Sequence, residues 1–368
     1  MPPCWSSKLH IFDHAKLRDA AAAVFDAAGA EPDIARAVAD LLVEANLTGH
    51  DSHGIQMIEY YLGCMERGSL NPKERGRLEA DNGGVLIVDG GLGFGAVVGA
   101  LAMERGIARA RENGLVLVAT RNSHHLGRIG SWAERCLDAG LVSLHFVNVH
   151  GHEPLVAPFG GIRTRLGTNP FCAGVPATDR HPPFVLDFAT SRIAFGKVGV
   201  AFDKGEALGE GMMIDREGRP TTDPGTMIPD ATGGALLPLG GHKGFGLAVL
   251  CELLGGAMTG GGANRPERHT QHTTVNGMFS IIVDPAALGG WGVMAGEIDA
   301  LYDWVTSAPA AAGSHGVILA GEPERRTRAT RAVDGIPIAE AAWDQLAQAA
   351  AGFGLERSRL DRLAGLSA

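Results

Sequence analysis

Short apolar runs alternate with amphipathic segments between residues 85 and 147, and this alternation limits the possible folds more than any other feature. The runs at 85–89, 115–120 and 141–147 have the length and composition of β-strands. The segments between them, 97–111 and 129–139, place apolar residues at helical spacing. Regular alternation of strands and helices predicts an α/β domain.

Two adjacent histidines, His124 and His125, follow the run at 115–120 within the sequence Asn-Ser-His-His-Leu-Gly. The Asn, Ser and Gly residues predict that the strand ends in a turn before the helix at 129–139. In α/β sheets, ligands bind at the carboxyl ends of strands. Histidine suits proton transfer because its ordinary pKa lies near neutrality. Two interpretations stay open: a catalytic site, or one histidine that packs and one that hydrogen-bonds the loop.

The rest of the chain divides into helical ends and a mixed centre. Helices are predicted near both ends, at 14–28, 32–47, 55–67 and 338–351. In the centre the sequence predicts strands at 184–187, 278–283 and 316–319, helices at 244–258 and 295–306, and a hairpin or loop pair around Gly218.

Composition excludes several classes of protein. The chain has 368 residues and a formal net charge of -9, which argues against nucleic acid or an anionic membrane as a partner. It contains no apolar run long enough to span a membrane, and residues 1–5 do not begin a signal peptide. The five cysteines are scattered and form no Cys-x-x-Cys pair. We therefore expect a cytoplasmic protein with reduced thiols.

Two short motifs are candidates for chemistry. In the first, Ser52 and His53 lie between two predicted helices; Ser52 could cap the second helix or donate a hydrogen bond to a substrate oxygen, and His53 could donate a proton. In the second, Lys243 lies in a glycine-rich segment before the predicted helix at 244–258, where a helix start and a cation favour a phosphate. The glycine cluster at 90–95 does not fit G-x-G-x-x-G, so a nucleotide would bind without the usual Rossmann fingerprint.

A metal site is an alternative that the histidines allow. His150 and His152 follow the predicted strand at 141–147, and with His124 and His125 they supply enough nitrogen atoms for zinc. No helical motif that combines carboxylate and histidine supports such a site, so we predict no metal. A histidine-ligated metal hydrolase is kept as the alternative of another class.

Seven motifs occur in order along nearly the whole chain. They are Asp51-Ser52-His53-Gly54 with Tyr61, Asn122-Ser123-His124-His125 with Gly127, Ala157-Pro158-Phe159-Gly160-Gly161, Gly167-Thr168-Asn169-Pro170, Asp187-Phe188-Ala189-Thr190-Ser191 with Gly196-Lys197, Lys243-Gly244-Phe245-Gly246-Leu247, and Gly321-Glu322-Pro323-Glu324. Together they resemble the malate/L-lactate dehydrogenase family of the second type. That family also contains ureidoglycolate dehydrogenase, diketogulonate reductase, sulfolactate dehydrogenase and a cyclic imino acid reductase.

The resemblance implies a non-Rossmann α/β fold of the malate/L-lactate dehydrogenase type. Residues 81–324 would form an α/β cofactor-binding domain, and residues 1–80 with 325–368 would form a helical domain. The resemblance also implies NAD or NADP as the cofactor, without indicating which, and a homodimer with the cofactor cleft near its interface.

The same resemblance implies roles for individual residues. His53 and His125 would be the acid/base candidates, since family members differ on which histidine has that role, and Ser52 and Tyr61 would line the substrate pocket. The candidate cofactor contacts are Asn122, Thr168, Asn169, Asp187, Phe188, Ala189, Thr190, Ser191, His242, Lys243, Gly244, Gly321, Glu322 and Pro323. Asp187 could accept hydrogen bonds from a ribose, or it could cap a helix that begins near Ser191.

One departure from the family concerns the substrate. Many members place an arginine three residues beyond the Ser-His-Gly, where it binds the substrate carboxylate, and here that position is Met57. A thioether cannot form a bidentate pair with a carboxylate, so either Arg128 or His124 takes that role or the substrate differs at that end. We predict hydride transfer between a nicotinamide and C2 of a small 2-hydroxy or 2-oxo acid. Reduction of a cyclic imino acid is the alternative within the family.

Overall fold

The computed structural model describes residues 8–228, 233–271 and 273–366, so residues 1–5 and the signal-peptide prediction lie outside it. The helices are α1 His14–Ala27, α2 Pro32–Leu47, α3 Met57–Glu66, α4 Gly95–Asn113, α5 Gly130–Asp138, α6 Phe195–Lys204, α7 His242–Cys251, α8 Trp291–Thr306, α9 Glu322–Asp334, α10 Glu340–Ala351 and α11 Arg357–Ala364. The strands are β1 Leu9–Phe12, β2 Arg77–Asp81, β3 Val85–Asp89, β4 Leu115–His124, β5 Val142–His150, β6 Phe171–Val175, β7 Phe184–Phe188, β8 Met213–Ile214, β9 Pro220–Thr221, β10 Ala235–Leu236, β11 Val275–Val283 and β12 Ile336–Ala339.

The central sheet is mixed. Its seven strands have the order β2-β3-β4-β11-β5-β6-β7, in which β3 and β4 are parallel and the other neighbours are antiparallel. The predicted succession of strand, helix, strand, helix and strand from β3 to β5 is confirmed. However, β11 comes from a distant segment and lies between β4 and β5, antiparallel to both. Both of its neighbours are therefore held in place by a strand that follows them by more than a hundred residues.

Strands β4 and β5 extend further than predicted because β11 pairs with both of them to their last residues. Val275 lies opposite His124 in β4 and opposite His150 in β5. The predicted turn at residues 122–123 is therefore wrong, and so is the prediction that His150 follows its strand. Asn122 instead adopts a φ of 52° where the pairing of β4 with β11 shifts. Such an irregularity redirects the side chains beyond it.

Two large apolar cores contain most of the buried hydrophobic side chains in the part of the chain that the structure describes. The first is built from residues 12–70 and 336–364, with Phe94 and Ala96, and in it Phe12 packs against Trp343 with 4.6 Å between ring centroids. The second is formed by α4, α5 and the sheet around Trp132. Complete burial of a side chain such as Phe12 stabilises the fold by about 1.5–3 kcal/mol. The helices predicted at 14–28, 32–47 and 55–67 are confirmed as α1, α2 and α3, while the boundaries of the two predicted domains stay a prediction.

The structure corrects the prediction near the C-terminal end. Residues 316–319 do not form a strand, although Ala320 accepts a hydrogen bond from Val185 N in β7 (3.3 Å). Helix α9 was not predicted from the sequence. None of its residues is buried, so it has no apolar stripe that periodicity could detect. The predicted helix at 338–351 is divided into β12, which pairs with β1, and α10.

Three further segments bear on the predictions. The hairpin around Gly218 is confirmed as the antiparallel pair β8 and β9. The predicted helix at 244–258 is α7 followed by a π-helix, Glu252–Met258. No helix within the described ranges has the length and apolar character needed to cross a membrane.

Candidate active site

A short 3-10 turn, Asp51–His53, holds Ser52 and His53 between α2 and α3. Arg331 of α9 forms an ion pair with Asp51 (2.7 Å), so a helix from the other end of the chain fixes this turn. Ser52 Oγ lies 3.2 Å from His53 Nδ1. The interpretation of Ser52 as a helix cap is wrong, because α3 begins without a side-chain cap.

His125 follows β4 directly, and the fold brings it against residues of the N-terminal helices. Its Nδ1 atom lies 2.7 Å from the hydroxyl oxygen of Tyr61. The rings of His53 and His125 are stacked, with 5.5 Å between centroids and an interplanar angle of 25°. Because Tyr61 occupies Nδ1 of His125, Nε2 is the nitrogen that can face a substrate. The structure thus brings together Ser52, His53, Tyr61 and His125, the four predicted catalytic residues.

Burial determines the charge of these groups. It lowers the pKa of His53 to about 4, with smaller effects from His50 and Arg128, and it lowers the pKa of His125 well below its usual value. Both imidazoles are therefore neutral at pH 7. Burial also raises the pKa of Tyr61 far above its usual range, so the Tyr61 hydroxyl keeps its proton. A neutral imidazole can accept a proton from an alcohol, and its N–H can donate to an oxygen that gains negative charge.

Arg128 is only 3% exposed and pairs with Glu134 of α5. Asp187 accepts a hydrogen bond from Gly130 N (2.7 Å). A Cβ atom on Gly130 would lie 2.5 Å from Arg128 Nη1 and 3.0 Å from Asp187 Oδ2, so both charged groups lie against this glycine. Burial raises the pKa of Asp187. The idea that Asp187 caps the following helix is wrong, because α6 begins only at Phe195.

His124 and Met57, the other predicted substrate contacts, have packing roles in the structure. His124 is fully buried, with Nε2 2.9 Å from Thr273 Oγ1 and its ring edge-on to Tyr61 at 5.4 Å. Met57 is the first residue of α3 and packs, partly buried, against the first core. That either contacts a substrate stays a prediction.

The predicted cofactor contacts are distributed over the ends of β4 and β7, the segment before β6, and the starts of α7 and α9. Thr190 N donates to the carbonyl oxygen of Thr168 (2.9 Å), and Leu239 N donates to that of Thr190 (2.8 Å), so these three segments adjoin. His242 and Lys243 are exposed in the first turn of α7. A helix N-terminus with an exposed lysine fits a phosphate group.

Glycines shape this region and its neighbour at α9. A Cβ atom on Gly244 would lie 2.0 Å from the carbonyl oxygen of Leu239, so only glycine fits there. Gly321 precedes α9 with a φ of 87°, and a Cβ atom on it would lie 3.2 Å from Val185 N in β7. The segment 321–323 therefore lies beside the strand that leads to Asp187.

Several other predicted cofactor residues direct their side chains to the protein itself. Asn169 Nδ2 donates to Glu252 Oε1 (2.9 Å), Asn122 Nδ2 to Asp89 Oδ2 (3.0 Å), and Ser191 Oγ to the carbonyl oxygen of Ile193 (2.8 Å). Phe188 packs on Phe171, and Glu322 pairs with Arg326. Of the remaining two predicted contacts, Ala189 is half-buried and Pro323 is exposed.

The histidines do not form a metal site in the described ranges, where no three His, Cys, Asp or Glu side chains are placed to hold a metal ion. His150 is buried at the end of β5, and His152 Nδ1 lies 2.7 Å from the carbonyl oxygen of Glu153. The described residues therefore offer no set of ligands for the metal that the hydrolase alternative requires.

The sequence assigned no role to several residues that support the site. Among them are Arg331, which pairs with Asp51, and Glu324, which lies 3.4 Å from His50 Nε2. Two buried asparagines, Asn46 and Asn276, were also missed. An amide within the apolar strand at 275–283 is a signal that could have identified Asn276, because buried polar groups need partners.

Comparison with known proteins agrees with this geometry. Residues 12–347 match the malate/L-lactate dehydrogenase family. Hydroxycarboxylate dehydrogenase B of Escherichia coli (strain K12) is 41% identical over 353 residues, which cover 95% of this chain and 96% of that protein. An L-lactate dehydrogenase of Cupriavidus necator is 41% identical over 314 residues, which cover 85% and 89%.

A solved structure shows the same fold. The structure of a putative malate/lactate dehydrogenase from E. coli superimposes with a TM-score of 0.91 at 41% identity, covering 96% of this chain and 98% of that one. The family match and the relatives indicate an oxidoreductase that acts on hydroxy acids, and they imply a nicotinamide cofactor. The chain belongs to the malate/L-lactate dehydrogenase family.

Proposed function

We propose that this protein interconverts a small 2-hydroxy acid and the corresponding 2-oxo acid by hydride transfer at C2. The observation that supports this proposal is the contact of 2.7 Å between Tyr61 and His125 Nδ1, beside the stacked ring of His53. Because Tyr61 contacts Nδ1, the Nε2 atom of His125 is available to bind the oxygen atom on C2 of the substrate. The nicotinamide, when bound, accepts or supplies the hydride, and Lys243 with the first turn of α7 would hold the phosphates of the dinucleotide.

In the oxidising direction, His125 Nε2 accepts the proton of the substrate hydroxyl group. Tyr61 holds the imidazole ring in place, and His53 packs against its face. In the reducing direction, the same nitrogen returns a proton to the oxygen. His53 lies close enough to share this role, and Ser52 Oγ, 3.2 Å from His53 Nδ1, can position the substrate oxygen. Acid/base catalysis of this kind contributes about 10²–10⁴ in rate.

We further propose that Arg128 binds the substrate carboxylate in place of an arginine at Met57. Arg128 is buried, and its charge reaches far enough to contribute to the lowered pKa of His53. Its Nε atom has no hydrogen-bond partner among the described residues, so a donor is left over after the pair with Glu134. A guanidinium with a spare donor suits a carboxylate.

Three finer proposals concern cofactor, assembly and location. We propose NAD or NADP as the cofactor, and the assay below distinguishes them. We propose a homodimer, because the helical run through α7 and the π-helix exposes Leu250, Leu253 and Met258 by 38%, 53% and 65%; sedimentation equilibrium measures the assembly.

We propose a cytoplasmic location, since the cysteines in the described ranges, Cys64, Cys136, Cys172 and Cys251, are all free.

The proposal is tested by the loss of reduced-nicotinamide absorbance with NADH and NADPH in parallel. The substrates are pyruvate, oxaloacetate, bulkier 2-oxo acids and a cyclic imino acid. We expect turnover with at least one 2-oxo acid. Turnover with the cyclic imino acid alone would replace the proposed substrate class by the alternative within the family.

His125→Gln tests the role of the histidine. We expect kcat to fall by about 10²–10⁴, with the Kd for the reduced nicotinamide nearly unchanged, because the substitution removes a proton carrier and keeps the packing volume. His181→Gln is the matched control, since His181 pairs with Asp303 (3.0 Å) away from the stacked rings. An unchanged kcat in His125→Gln would remove His125 from the mechanism and leave His53 as the acid/base group.

A further inference from the structure

A buried asparagine in β11 contacts the backbone next to His125. Asn276 is 2% exposed, and its Oδ1 accepts a hydrogen bond from Leu126 N (2.8 Å). Its Nδ2 donates to the carbonyl oxygen of Asn148 in β5 (2.9 Å). The side chain thus joins the residue after His125 to the strand on the other side of β11.

The peptide group after Leu126 is held as well. Trp132 Nε1 donates to the carbonyl oxygen of Leu126 (3.1 Å), and both side chains are fully buried. A Cβ atom on Gly95, the first residue of α4, would lie 2.1 Å from the carbonyl oxygen of His125. The backbone at His125 and Leu126 is therefore fixed by β11, α5 and α4 together.

A second buried asparagine has the same relation to His53. Asn46 of α2 is fully buried, and its Oδ1 accepts a hydrogen bond from Ile55 N (2.9 Å). Its Nδ2 donates to Asp51 Oδ1 (2.7 Å). Between them, a Cβ atom on Gly54 would lie 2.2 Å from Asn46 Oδ1. In both places a side-chain amide binds a backbone N–H one or two residues beyond a histidine of the site.

We propose that Asn276 and Asn46 are positioning residues that set the separation and angle of the His125 and His53 rings. This inference rests on the proposed function. An imidazole follows the backbone to which it is attached, and a buried N–H that loses its acceptor drives the backbone to find another. A shift of about 1 Å at a reacting group can reduce the rate by about a hundredfold. The two asparagines touch neither substrate nor cofactor in this proposal.

The test uses the full chain with Asn276→Ala and Asn46→Ala. We expect kcat to fall about 10- to 100-fold, while the Kd for NADH and NADPH stays within about twofold of the original, because the residues near α7 are unchanged. In protein labelled with ¹³C at Cε1 of histidine, we expect the His125 signal to move in Asn276→Ala and the His53 signal to move in Asn46→Ala.

Ser280→Ala is the matched control. Ser280 lies on the same strand as Asn276, is fully buried, and its Oγ lies 2.8 Å from His145 Nδ1, so its loss removes a buried hydrogen bond without touching His125. We expect kcat and the His125 signal to stay unchanged. If Asn276→Ala does not fold, Trp132→Phe removes the donor to Leu126 and keeps most of the packing, with an expected three- to tenfold fall in kcat and a moved His125 signal.

The proposal is overturned by an unmoved His125 signal in Asn276→Ala or Trp132→Phe, or by a kcat no lower than that of Ser280→Ala. The ring signals do not require turnover. A wild-type protein without any nicotinamide-dependent activity would therefore defeat the proposed function, while the signals would still decide whether the asparagines position the rings.

Discussion

Single residues set the charge of the site. The rings of His53 and His125 are neutral at pH 7 because burial disfavours their charged forms. The Tyr61 hydroxyl keeps its proton for the same reason. Arg128 then supplies positive charge near these rings, and its pair with Glu134 limits how much of that charge a substrate would meet.

Arg128→Lys tests the contact with the carboxylate. Lysine keeps the charge and loses the planar pair of donors, so we expect KM for the acid to rise about tenfold or more, equivalent to about 1.4 kcal/mol, with kcat less affected. Steady-state kinetics measure both constants, and Arg105→Gln on the exposed side of α4 serves as control. An unchanged KM would show that another group binds the carboxylate.

At the scale of elements, β11 organises the site although none of its residues was predicted to be functional. It supplies Asn276, it pairs with the strands that end at His124 and His150, and it packs against the π-helix. That packing is very close: a Cβ atom on Gly277 would lie 2.0 Å from the carbonyl oxygen of Gly255. π-Helical turns are frequent at functional sites, and this one also contains Glu252, whose carboxylate is bound by Asn169 and Asn148.

Gly277→Ala tests this close approach. Backbone atoms cannot yield as a flexible side chain can, so we expect a loss of about 3 kcal/mol or more in the free energy of unfolding, in the range of severe core substitutions. Gly296→Ala in α8 is the opposite case, because nothing lies within 4 Å of its Cβ position; alanine there should stabilise by about 0.5–1 kcal/mol. Urea unfolding of both variants measures the difference. Equal stabilities would mean that β11 and the π-helix can separate at little cost.

Across the whole molecule, buried histidines link stability to pH. Burial lowers the pKa of His124 and His145 to about 3, that of His53 and His150 to about 4, and that of His125 in the same direction. Above pH 6.5 these groups are largely neutral in both the folded and the unfolded chain, so they add little pH dependence to the free energy of unfolding. Below pH 6.5 the unfolded chain binds protons that the folded chain does not, so stability falls as the pH falls.

His145→Gln measures this effect away from the active site. Each such histidine contributes a slope of about 1.4 kcal/mol per pH unit between pH 6.5 and its folded pKa. We expect the decline in unfolding free energy from pH 6.5 to pH 4.5 to be shallower in the variant by about that slope. Parallel slopes for wild type and His145→Gln would show that His145 takes up its proton in the folded state.

How much the sequence predicted depends on the range of the interactions. Local patterns were enough for α1, α2 and α3 and for the order β3, α4, β4, α5 and β5, because hydrophobic periodicity reports on burial within one element. The ordered motifs were enough for the family and for His53, Tyr61 and His125 as candidates. Periodicity failed for α9, whose residues are all at least partly exposed, and for residues 316–319, an apolar run that forms no strand.

Only the tertiary structure decided how these candidates act. Sequence spacing says nothing about contacts across a sheet, so neither the place of β11 between β4 and β5 nor the stacking of His53 on His125 could be read from it. The same holds for Asp187 on Gly130 and for the asparagines behind the two rings. The sequence by itself determined which residues were candidates for the site. Their charge states and the orientation of their side chains were decided only by the tertiary structure, because both depend on burial and on partners that are distant along the chain.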